Sequence, residues 1–169
     1  MKAIFLALIL VFALSSGAFA DEQKFQYENF EWGISLEDVK KELNEKKVNF
    51  LKASEREGLG YNEKIMGEEC NVLFYFTPKT KVLAQITLQW TTTGVGDGLK
   101  EVLTKKYGKP FRPNEYQELY GWGNIEDKDG IMLQYDMIYT HLSYLGGSFY
   151  KMLEAETKEI NEKELLDKL

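Results

Sequence analysis

Cysteine is almost missing from this chain: Cys70 is the only one in 169 residues. One thiol closes no internal disulfide, so packing must hold the fold together. Histidine is equally scarce, with His141 alone. A zinc site draws on three or four Cys, His or carboxylate ligands, and this pair does not suggest one. No N-x-S/T sequon occurs, so there is no acceptor for N-glycosylation. Positive charge is in deficit, with 21 Lys and Arg against 27 Asp and Glu and a net charge of −6. Such a balance argues against a phosphate backbone as partner, which excludes nucleic-acid binding as the expected role. The acids are interspersed with lysines rather than blocked, as suits solubility.

Long apolar runs are missing too, apart from Ala3–Leu14 near the start. That run is shorter than the roughly 20 residues a helix needs to span a bilayer. Lys2 precedes it, and Ala18-Phe19-Ala20 follows it with small residues where a signal peptidase reads. The order predicts a secretory signal over residues 1–20, cleaved after Ala20. The next residue is Asp21 and not Cys, so no lipid anchor is expected, nor any transmembrane segment. The single Lys of the leader, the single Cys and the missing sequon favour a bacterial periplasm, with secretion as the variant. Residues 21–147 then read as one α+β domain, and 148–169 as a charged amphipathic helix.

Within the domain, Phe25–Phe30 alternates as a first strand would. Ser35 with Asp38 makes a capping pair, and Leu36, Val39 and Leu43 follow at helical spacing, predicting a helix over 36–46 braced by Glu42 and Lys46. Strands are expected at 48–54, 61–66 and 70–76. Val82–Trp90 is the clearest of all, with Val82, Ala84, Ile86, Leu88 and Trp90 on one face and Gln85, Thr87 and Gln89 on a wet back. Gly94–Gly98 reads as a flexible connector. A second helix follows with Leu99, Val102, Leu103 and Tyr107 as its stripe, ended by Gly108 and Pro110. Strands at about 115–125, 130–136 and 138–145 come next, with Gly130 expected at positive φ in the turn Asp127–Gly130. In the terminal helix, Glu154 with Lys158, Glu159 with Lys163 and Glu164 with Lys168 fall at i,i+4. Its first half should pack; its second half is left to project into solvent or to meet a partner. The fold expected is α+β: an antiparallel sheet with helices packed on one face, two helix-plus-strands repeats and a C-terminal helix.

Trp32-Gly33-x-Ser35-x-x-x-Val39, the run Lys106-Tyr107-Gly108-Lys109-Pro110, and Trp122 followed by Ile131-x-Leu133 resemble a loose class of small exported bacterial proteins of unknown function. The helix-plus-sheet repeat is also similar to the β-lactamase-inhibitor-like fold, which includes a lipoprotein of outer-membrane assembly. That resemblance implies an envelope role, while Asp21 departs from the lipoprotein's anchoring Cys.

The chemistry-bearing residues give little. His141 shares a strand face with Ser143 and has Asp136 nearby, but no nucleophile elbow or oxyanion loop accompanies them. Asp127-x-Asp129-Gly130 lacks the later ligands of a calcium loop. Gly94–Gly98 lacks the Lys and hydroxyl of a phosphate loop. Cys70 aligns with Val72, Phe74 and Phe76 as a core thiol. Aromatic residues are the positive feature, at 14% of the chain. Tyr116, Tyr120 and Trp122 point the same way on one strand, with Gly121 and Gly123 behind, and are the candidate binding residues for a stacking platform. The expectation is an exported binding or interaction module without catalytic or metal-ligating residues and without cofactor. Its partner would be another envelope protein, a peptide or a glycan. The alternatives are an envelope-assembly accessory and a hydrolase with a carboxylate site that no motif reveals.

Overall fold

A computed structural model describes residues 25–54, 58–92, 94–112, 117–124 and 126–168, with backbone only for 52–54. Helix α1 (Leu36–Glu45) starts at Ser35, whose Oγ accepts from the Asp38 amide at 3.2 Å and donates to the Asp38 carboxylate at 2.6 Å. That local exchange fixes the entry of the chain and turns Val39 and Leu43 inward, where both are buried. Strands β1 (Leu51–Ser54), β2 (Gly58–Ile65), β3 (Glu68–Phe76) and β4 (Leu83–Trp90) follow as a meander. Helix α2 (Val95–Tyr107) leads to a second meander of β5 (Leu119–Asn124), β6 (Asp129–Tyr135) and β7 (Thr140–Gly146), and helix α3 (Ser148–Leu166) ends the chain. All seven strands join one antiparallel sheet in the order β1-β2-β3-β4-β7-β6-β5. The two helix-plus-strands units meet where β4 pairs with β7. The fold is α+β. Among the described residues no helix is long and apolar enough to cross a membrane.

The alternation of β4 propagates across the whole sheet. Leu59, Phe74, Ile86, Tyr144, Ile131 and Trp122 stand opposite one another from β2 to β5. This row and its neighbours form one core with Val39 and Leu43 of α1 and Val95, Leu99 and Leu103 of α2. The other face is wetter. Thr87 stands opposite Ser143, and Gln89 opposite His141, with Asn71 and Gln134 continuing the second row on either side. No Asp, Glu, Lys or Arg interrupts that row.

Several expectations fail for identifiable reasons. Phe25–Phe30 is not a strand. Both phenylalanines are buried, and a spacing of five cannot put both on one side of a strand. The chain turns instead, with Phe30 N donating to Tyr27 O at 3.3 Å and Glu28 at φ 50°. Gly94–Gly98 is not a connector: α2 begins at Val95. Val95 is buried, and Gly96 lies under Tyr135, where a methyl would come within 2.4 Å of the ring. Packing thus overrides the poor helix propensity of glycine. Val102 leaves the expected stripe and is exposed. In the β5–β6 turn the positive φ belongs to Lys128, at 60°, and not to Gly130. Gly130 is needed for close approach, since a Cβ there would sit 2.2 Å from the Trp122 carbonyl oxygen.

Candidate binding cleft

Helix α3 contributes no buried residue. It crosses the sheet on the side away from the core, over Tyr75 and Gln85, which are cross-strand partners. Gly147, at φ 54°, turns the chain out of β7, and its amide donates to Lys128 O at 2.8 Å. Phe149 then packs on Gly33, where a methyl would lie 2.4 Å from the ring. Between α3 and the sheet runs a cleft of about 930 Å³. Tyr75, Phe76, Tyr150, Leu153 and Ile160 give it apolar lining, and Gln85 and Thr157 add polar groups. Burial raises the hydroxyl pKa of both Tyr75 and Tyr150. Lys81, Glu154, Lys158 and Glu164 supply charges of both signs to its walls. An apolar strip edged by mixed charge suits a peptide or helix with one greasy side.

The helix is held over this cleft by polar contacts to two turns. At its start, Lys151 pairs with Asp127 at 2.9 Å and Glu154 with Lys128 at 3.9 Å. Further on, Glu156 accepts from the amides of Lys79 at 2.6 Å and Thr80 at 3.4 Å, and from the Thr80 hydroxyl at 3.1 Å. Glu159 pairs with Lys79 at 2.5 Å. Glu154 and Glu159, expected to brace the helix internally, instead tie it to the body.

The aromatic strand is not a platform. Tyr120 and Trp122 are 4% and 2% exposed and belong to the core; Tyr116 lies outside the described residues. Trp122 Nε1 donates to Gly108 O at 2.9 Å, which fastens β5 to the end of α2. Tyr120 stacks on Tyr135 at 5.9 Å and takes the Lys100 ammonium on its hydroxyl at 3.0 Å. Its hydroxyl also donates to Glu118. The space behind Gly121 is filled by Phe111, whose ring would stand 2.1 Å from a methyl there.

The other flagged residues are dispersed. His141 Nδ1 meets the Gln89 amide at 3.4 Å, whereas the Ser143 hydroxyl pairs with Thr87 at 3.0 Å. Asp136 accepts from the amides of Ile138 and Tyr139, which lowers its pKa. Cys70 is buried on the core side of β3, and burial pushes its thiol up to about 12. A second cleft, of about 540 Å³, lies beside the uncovered end of β2. There the hydroxyls of Tyr27 and Tyr61 converge on Glu63 at 3.2 and 3.5 Å. Among the described residues no three His, Cys, Asp or Glu side chains gather as a metal site would require.

Sequence reasoning missed the α3 cleft because its walls come from β3, β4 and α3, far apart along the chain. The alternation of β4 did mark Gln85 as facing away from the core. Comparison with protein-family models, with curated proteins and with solved structures finds no match.

Proposed function

We propose that this is an exported binding module without catalytic activity, and that its ligand lies in the cleft between α3 and the outer face of β3 and β4. The observation that carries the reading is the cleft itself: about 930 Å³, with an apolar strip from Tyr75, Phe76, Tyr150, Leu153 and Ile160 edged by both signs of charge. A catalytic site would call for converging groups with shifted proton affinity. Here Ser143 and His141 are engaged by different partners. The ligand class the lining favours is a segment of another envelope polypeptide with an apolar stripe. Export rests on the leader read in residues 1–20.

The test is amide-shift mapping by NMR on the chain from Asp21 onward, titrated with a panel of amphipathic peptides and, separately, of oligosaccharides. Shifts concentrated on Tyr75, Gln85, Leu153 and Thr157 with a peptide, abolished by Leu153→Glu, are the expected result. Shifts confined to the cleft beside β2, or binding that ignores Leu153→Glu, contradict it.

A further inference from the structure

We propose that α3 is a strap that opens about Gly147 in response to ionic strength, uncovering the sheet face beneath it while the core stays folded. This goes beyond the binding proposal and stands without any ligand.

Four observations meet in it. No α3 side chain is buried, and none belongs to the core cluster or to the partly buried residues packed against it. The contacts that fix the helix to the body are largely ionic and exposed: Lys151 with Asp127, Glu154 with Lys128, and Glu159 with Lys79. Glu156 adds a carboxylate that accepts the free amides of the β3–β4 turn. A single glycine, Gly147, links β7 to α3 at φ 54° and ψ −116°, so the rotation that lifts the helix falls on a residue without a side chain.

Beneath the helix the surface is competent to be uncovered. Tyr75 and Gln85 pair across β3 and β4, and Gln85 Nε2 donates to Thr87 Oγ1 at 2.9 Å and to Ser143 Oγ at 3.4 Å. Gln85, Thr87 and Ser143 satisfy one another within the sheet. Lifting α3 therefore strands none of them; it costs the half-buried contacts of Phe149, Tyr150, Leu153 and Ile160 and uncovers Leu145, which is buried opposite Gln85. Screening removes the ionic share of the attachment, because exposed pairs respond to salt whereas apolar contacts do not.

Hydrogen exchange read by mass spectrometry on the chain from Asp21 tests this without ligand. Between about 0.01 M and 1 M sodium chloride the screening length falls from roughly 30 Å to 3 Å. Amides of α3 should then exchange about tenfold faster, the sum expected of several exposed pairs, while those of β3, β4 and β7 hold their rates. Glu156→Gln should speed α3 several-fold at low salt and leave the sheet unchanged. An α3 that ignores salt overturns the proposal. So does a sheet that accelerates in step with α3, since the helix would then open only with the whole domain.

Discussion

Trp122 shows how a residue's neighbours decide its meaning. Its ring was a candidate for stacking on a ligand, yet its indole N–H is spent on the Gly108 carbonyl and its ring on the core. Trp122→Ala should therefore cost about 3–5 kcal/mol in urea unfolding, the usual loss for a large buried ring. Gly130 carries a different constraint. A methyl there meets the Trp122 carbonyl oxygen at 2.2 Å, and backbone cannot step aside cheaply. Gly130→Ala should lower stability by about 2 kcal/mol or more through a backbone clash, whereas Gly108→Ala, with open space around it but φ 83° and ψ −168°, should lose about 1–3 kcal/mol through conformational strain alone. Cys70 makes the chain sensitive to alkali. Its folded pKa is raised from 9.0 to about 12, so above pH 9 the unfolded chain loses the proton first and stability falls as pH rises. Tyr61, raised from 10.0 to about 12, adds to the loss above pH 10. Unfolding followed from pH 8 to 11 should show the decline beginning near pH 9, and Cys70→Ala should move its onset to near pH 10. An onset unchanged by that substitution contradicts the assignment.

Among the elements, those with a strong local signal were legible before the fold was known. Ser35 and Asp38 announce α1 because a cap is a contact between near neighbours, and Ser35→Ala should cost about 1 kcal/mol by thermal unfolding. The period of β4 announces a strand with one wet face because both faces are written in consecutive residues. Phe25–Phe30 and Gly94–Gly98 misled for the same reason: distant packing decides them, Phe25 against Tyr107 and Gly96 against Tyr135. The cleft was illegible altogether. Nothing in the sequence around Tyr75 announces that Leu153 will arrive above it. The last turns of α3 present Leu165 and Leu166 to solvent, beyond the contacts of Glu156 and Glu159. A chain ending at Ile160 should unfold at the same urea concentration as one ending at Leu169, since the removed turns bury nothing.

As a whole molecule the protein is one antiparallel sheet with two unlike sides. The core side takes α1 and α2 and, with them, most of the aromatic rings that the sequence offers. The other side keeps a polar row and a helix fastened by surface charge and a few half-buried apolar side chains. The proposed binding cleft lies on that second side. The most direct measurement is site-specific photocrosslinking in cells that make the protein, with p-benzoylphenylalanine replacing Tyr75, Leu153 or, as comparison, Lys47 beside the second cleft. Discrete adducts from Tyr75 and Leu153, and none from Lys47, are the predicted result; adducts from Lys47 alone, or none from the α3 cleft, would contradict it.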